Sequence, residues 1–266
     1  MALDSRTHLQ SGTKTQTHYV TVPSADLRIG TQMGTQALYG QRFDVIDTQD
    51  GRSRGALRSI LPSSDRIDYI GEIRSASLST KPLIPTYRVS ALSAAIFETA
   101  DIKSPLLGFL PRNAVVEGVF DAGFLKLGQG GFIHSRHLSG VYEAAERGFT
   151  ELASDMLGLP YIWGGTGWVG VDCTGLVQSA LAATGVDAPR DADQQEHGLG
   201  HAVDFAERRS GDLLFWSGHV GIVVEGDQLL HANAHHMCVA REPVDVAVSR
   251  IGAVRSVKRL SGSIGA

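Results

Sequence analysis

The sequence has 266 residues, 42% of them hydrophobic and 20% charged, and 24 basic against 28 acidic side chains give a net charge of −4. That balance disfavours disorder and coiled coil, and the length allows one large domain or several small ones. The mild negative charge gives no electrostatic reason to expect nucleic acid or an anionic membrane as partner.

Residues 1–16 are polar and aperiodic and read as a loose tail. The first thirty residues hold no apolar core of signal-peptide length, and no apolar run reaches the ~18 residues of a membrane span. The expected location is therefore cytoplasmic. Over 17–80, short β-type runs alternate with turns: Tyr19–Val22, Gln36–Tyr39, Arg42–Ile46 and Asp68–Gly71, with Asp47–Gly51 as a hairpin loop. A second such block spans 84–139, with Ala95–Phe97, Ala114–Phe120 and Gly131–Ile133. Each block suits a small all-β barrel. The segments Asp68–Leu78 and Gly131–Leu138 echo one another, an aromatic and Ile leading through Ser and Arg to Leu, as two copies of one module would.

The pattern changes over 141–260. Tyr142–Leu157 has helical spacing, with Ala145, Phe149, Leu152 and Met156 on one stripe and Gly158 as a cap. A Gly-rich loop leads into a second helix, Cys173–Thr184, ended by Gly185. Short strands follow over Asp212–Trp216, His219–Val224, Gln228–His231 and Cys238–Ala240, with more over 244–258. Helices followed by an antiparallel run define an α+β domain.

Only two cysteines occur, Cys173 and Cys238, too few for a disulfide framework. Cys173 opens a helix, where the dipole and unpaired N–H groups favour a thiolate, so its pKa is expected to fall. A thiolate nucleophile needs a base and a group to orient that base. With Glu225-Gly226-Asp227 as a three-residue loop, Val224 pairs with Gln228, and His219 and His231 project from one face as diagonal neighbours. Gly221 would leave room between them. A two-residue loop would put the histidines on opposite faces, so the inference hangs on register.

The ordered motifs Tyr161-Ile-Trp-Gly-Gly165, Asp172-Cys-Thr-Gly-Leu176, Pro189-Arg190, Gln195, Gly211-Asp-Leu-Leu-Phe215, His219-Val-Gly-Ile222 and Leu230-His-Ala232 resemble the NlpC-type, papain-like cysteine peptidases that cut bacterial cell-wall peptides. The resemblance covers about 150–258. It implies a multidomain chain, two SH3-like barrels followed by a papain-like α+β domain. It also implies that Cys173 is the nucleophile, His219 the base, His231 the residue orienting His219, and Tyr161 a hydroxyl aiding Cys173 or the oxyanion. Within the family, members with amino-terminal SH3-like domains resemble recycling enzymes that hydrolyse the γ-D-glutamyl–diaminopimelate bond of peptides with a free amino-terminal L-Ala. That similarity implies that Asp172 and Thr174 bind the free amine and that Tyr69 and Gln36 close the site from the first barrel. Gln36 departs from the usual acid there, Thr174 stands for the more usual Ser, and Ala192 replaces a common Ser.

Trp163, Trp168 and Trp216 are candidates for cleft walls or for packing, Trp163 being placed with the substrate contacts. The run His231–Cys238 offers three imidazoles and a thiol, but without the spacing of a zinc site; no metal or other cofactor is expected. The expected partner is a small peptide derived from peptidoglycan. Competing readings are an endopeptidase acting on intact peptidoglycan, an amidase or acyltransferase on the same scaffold, and a binding protein with a degenerate enzyme domain.

Overall fold

The computed structural model describes residues 4–261, and the chain forms two compact units that meet in sequence at Glu143 and Ala144. The first unit is built of antiparallel strands. A seven-stranded sheet runs, in spatial order, Gln32–Leu38, Ser24–Ile29, Ile67–Arg74, Arg52–Arg58, Arg42–Gln49, Gln16–Val20 and Leu78–Ser79. Its alternating apolar positions bury Leu27, Phe43, Leu57, Tyr69 and Ile73 in one core. A five-stranded sheet (Leu106–Pro111, Ser93–Phe97, Phe132–His134, Phe124–Leu127, Gly118–Asp121) and a three-stranded one (Val115–Val116, Tyr87–Val89, Leu138–Gly140) share a second core around Val89, Leu110, Leu125 and Ile133. Among the described residues no strand order closes on itself, so the β-rich unit has several sheets and no closed barrel.

The echo between Asp68–Leu78 and Gly131–Leu138 has a backbone counterpart. Each segment leaves its strand through a three-residue 3-10 turn, Ser75–Ser77 and Ser135–His137, and enters a short strand at Leu78 or Leu138 with φ and ψ near −123° and 149° in both. Elsewhere the boundaries shift. Strands Arg42–Gln49 and Arg52–Arg58 pair out to Gln49 and Arg52, and the turn is only Asp50-Gly51, both with positive φ, as a tight hairpin requires. The run Ala114–Phe120 is two strands broken at Glu117. The tail is less loose than its composition implies, because the Arg6 carbonyl accepts from the Ile70 N–H; Met1–Leu3 lie outside the described residues.

In the second unit four helices accompany an antiparallel six-stranded sheet. Helix α1 (Phe149–Ser154) is far shorter than the expected Tyr142–Leu157. Gly148 starts it, its N–H donating to Glu151 Oε2 at 3.2 Å, while the Ala145 N–H upstream is taken by the Ala183 carbonyl. Helix α2 (Cys173–Ala183) is buried on every side, which its mostly apolar sequence allows, the buried Gln178 donating to the Ala188 carbonyl at 3.0 Å. Helix α3 (Ala192–Gly198) follows, and helix α4 (Val244–Ile251) lies where the sequence presents strands. The sheet runs His201–Val203, Ser256–Arg259, Leu213–Trp216, His219–Val224, Gln228–Asn233 and Cys238–Pro243, with α2 packed on its two strands His219–Val224 and Gln228–Asn233. Val224 pairs with Gln228, the register the histidine argument needs. No described helix is long and apolar enough to cross a membrane.

Candidate active site

The site grows from the start of α2. Asp172 is its N-cap, with Oδ1 accepting from the Gly175 N–H at 2.7 Å, which fixes where the helix begins. Oδ2 accepts from the Gly164 N–H at 2.9 Å, tying the Gly164-Gly165 turn to the helix. A Cβ on Gly175 would sit 2.1 Å from the Gly165 carbonyl oxygen, so the two segments touch only because that residue is glycine. Arg190, 2% exposed, donates to both carboxylate oxygens at 3.1 and 2.7 Å and to Thr174 Oγ1 at 2.5 Å; Thr174 donates in turn to Asp172 Oδ1 at 3.1 Å.

Asp172 and Thr174, which the resemblance makes the pocket for a substrate amine, also serve a buried arginine and the helix end, and the Asp172 charge is paired. These contacts fix the start of α2, where Cys173 sits.

Cys173 is the first residue of α2 and 8% exposed. The backbone N–H groups of Val220 and Thr174 bond its sulfur, which brings the thiol beside the start of the His219–Val224 strand. Burial, reinforced by the Asp172 charge, nevertheless pushes the thiol up to about 12, against the lowering expected from the helix end; the N–H bonds and Arg190 oppose that rise without overcoming it. The resting sulfur is therefore protonated. Tyr161, joined to Val171 by a parallel bridge, lies in the same field: burial, then the Cys173 and Asp172 charges, raise it to about 12, so its hydroxyl remains a donor at neutral pH.

His219 follows the tight turn Ser217-Gly218 and faces His231 from the neighbouring strand, Nε2 to Nδ1 at 2.9 Å. His231 is fully buried. Its Nε2 lies 2.8 Å from Glu242 Oε1, and Arg250 of α4 pairs with the same oxygen. Burial pulls both histidines down to about 4, so both rings are neutral at pH 7. Gly221 does not make room between them: a Cβ there would meet Leu229 at 2.7 Å, so the space it leaves is filled by that leucine.

Trp163 is 67% exposed on the loop before Gly164, whereas Trp216 is 5% exposed and its Nε1–H donates to the Gly252 carbonyl, so it is packing. Tyr69 belongs to the first unit's core at 7% exposure. Gln36, also in the first unit, donates to Asp26 at 3.4 Å. His231, His236 and Glu242 bring donor atoms within 4.8 Å of one another, yet each has a protein partner: Arg250 for Glu242, Asn233 for His236, and His219 for His231. Glu242 and Arg250 were not legible as site residues. Gln195, in contrast, was singled out in sequence, and it is fully buried, donating to the Thr174 and Pro189 carbonyls at 3.1 and 2.8 Å.

A thiol at a helix start beside a hydrogen-bonded pair of neutral imidazoles is the equipment of a cysteine hydrolase. Residues 158–250 match the model of the NlpC/P60 family. Over 218 residues the chain is 30% identical to a γ-D-glutamyl-L-lysine dipeptidyl-peptidase of Bacillus subtilis (strain 168), covering 74% of this chain and 71% of that protein. The chain belongs to the NlpC/P60 family of cell-wall peptidases. Over 85 residues it is 39% identical to the bifunctional muramidase/DL-endopeptidase CwlT of the same organism, which is 29% of this chain and 26% of that one. A crystal structure of an NlpC/P60 family protein from Bacillus cereus ATCC 10987 has the same fold, with a TM-score of 0.76 at 19% identity over 92% of this chain and 99% of that one.

Proposed function

We propose that the protein hydrolyses the bond between the γ-carboxyl of D-Glu and the amine of an L-diamino acid in short cell-wall stem peptides, with Cys173 as nucleophile and His219 as base. The observation that carries this is the 2.9 Å contact between His219 and His231 beside the Cys173 thiol, in a chain similar over most of its length to a γ-D-glutamyl-L-lysine dipeptidyl-peptidase. Because thiol and imidazole are both neutral at rest, the proton leaves Sγ for His219 as sulfur attacks the γ-carbonyl carbon, and each new charge stabilises the other. The Tyr161 hydroxyl and the backbone N–H of Cys173 itself serve the oxyanion that forms. His219 then protonates the departing amine, leaving a thioester. Water, giving a proton to His219, attacks that thioester and releases the γ-carboxylate and the free thiol.

The preceding strands form two SH3-like modules on this reading, and the substrate is a peptide with a free amino-terminal L-Ala released during wall turnover. Diaminopimelate is the expected diamino acid, and the relative's name makes lysine the alternative to include. With Asp172 committed to Arg190, support for the free amine comes from the dipeptidyl-peptidase similarity and not from that carboxylate. The test is a panel of L-Ala-γ-D-Glu peptides ending in diaminopimelate or lysine, free or acetylated, with products read by mass spectrometry. Release of L-Ala-D-Glu from the free peptides supports the proposal. Equal cleavage of acetylated peptides or intact peptidoglycan would make it a wall-degrading endopeptidase.

A further inference from the structure

The histidine pair does not end at His231. Glu242 sits two residues beyond Ala240, the cross-strand partner of His231, so its side chain shares the His231 face as a diagonal neighbour. It is 9% exposed, and its Oε1 is met by His231 Nε2 at 2.8 Å and by the Arg250 guanidinium from α4. A carboxylate held by an arginine is an acceptor only. The proton of neutral His231 must then lie on Nε2, which leaves Nδ1 with a bare lone pair. His219 Nε2, 2.9 Å from that lone pair, must donate, and the lone pair of His219 is left on Nδ1. One carboxylate thereby sets the protonation of two rings in series.

We propose that Glu242, fixed by Arg250, is a positioning residue that holds both histidines in the tautomers that make His219 Nδ1 the base. This rests on the reading of Cys173 and His219 given above. Without Glu242, His231 can carry its proton on Nδ1 and donate to His219 Nε2. His219 then holds its own proton on Nδ1, where it cannot accept one from sulfur. The groups facing the pair are Glu242 from the last strand of the sheet, Arg250 from α4, His236 from the intervening turn, and Asp172 from the start of α2. Arg250 and His236 oppose protonation and Glu242 and Asp172 favour it, so loss of the Glu242 charge moves the His219 titration further down.

Three measurements decide the matter. In 15N-histidine spectra of the intact protein near neutral pH, His231 should carry its proton on Nε2 and His219 on Nε2; a proton on His231 Nδ1 overturns the proposal without any variant. Glu242→Leu should lower kcat about 10- to 100-fold with little change in KM and shift the His231 tautomer signals. Glu242→Gln keeps a carbonyl oxygen in place, so it should recover most of kcat and retain the tautomers, with the acid limb of kcat/KM moved to lower pH. A folded Glu242→Leu variant with kcat within twofold of the parent, or Gln no better than Leu, would refute the role. Cys173→Ala is the separate control: activity surviving there defeats the nucleophile reading, while the tautomers in its spectra still report on Glu242.

Discussion

His219 has to exchange a proton, whereas His231 only polarises and orients it, so equal chemistry at the two positions predicts unequal losses. His219→Asn should remove nearly all hydrolysis, and His231→Asn should retain a measurable fraction; the reverse order in steady-state rates would exchange their roles. The base is competent only when unprotonated, and burial places His219 near 4 instead of 6.5. Activity should therefore rise with pH through the region of 4 to 5 and already be on its plateau at pH 6.5. A kcat/KM profile with its acid limb at 6.5 or above would contradict that environment. Much of this site was legible as residues, because Cys173, His219, His231 and Tyr161 sit in short motifs whose spacing carries meaning. The thiol's titration was not. A helix end is visible in sequence, but the burial that overrides it comes from α2 being enclosed on all sides.

At the scale of elements, the start of α2 is held by one ion pair and one missing side chain. Asp172→Asn keeps an acceptor for the helix cap but takes the Asp172 carboxylate from Arg190, which is 2% exposed. Breaking a buried pair from one side costs about 3–5 kcal/mol, so a marked drop in denaturant midpoint is expected along with lost activity. An unchanged midpoint would mean that the pair does not hold the helix. Gly175→Ala pushes a Cβ against the Gly165 carbonyl and should damage stability and rate together. The elements the sequence misrepresents are instructive for the same reason. Val244-Asp-Val-Ala-Val248 alternates like a strand, yet Val244, Ala247, Val248 and Ile251 face the core with helical spacing. Strands over 244–258, which the alternation suggests, hide Arg250, since only a helix there turns its guanidinium onto Glu242. Conversely, the apolar stripe Ala145–Met156 suggested a long helix that Gly148 cuts to six residues.

Across the whole molecule, the organisation into β-rich sequence followed by an α+β domain was readable from period and turn residues, but sheet closure was not, since closure depends on which edge strands meet. The buried His231 and the half-buried His219, both neutral at pH 7, also tie stability to pH. Their pKa values are lowered on folding, so the unfolded chain binds more protons between about 6.5 and 4, and the stability they lend at neutral pH is lost as pH falls through that window. Thermal unfolding of the parent should consequently lose more between pH 7 and 4 than that of a His219→Asn, His231→Asn double variant; parallel losses would show that these rings are not the source. In this NlpC/P60 peptidase, hydrolysis by a covalent route through one sulfur is the step on which everything else depends. Its most direct test is product analysis of L-Ala-γ-D-Glu-diaminopimelate incubated with the parent protein and with folded Cys173→Ala. L-Ala-D-Glu and free diaminopimelate should form with the parent alone, and their formation at a comparable rate by the Ala variant would contradict it.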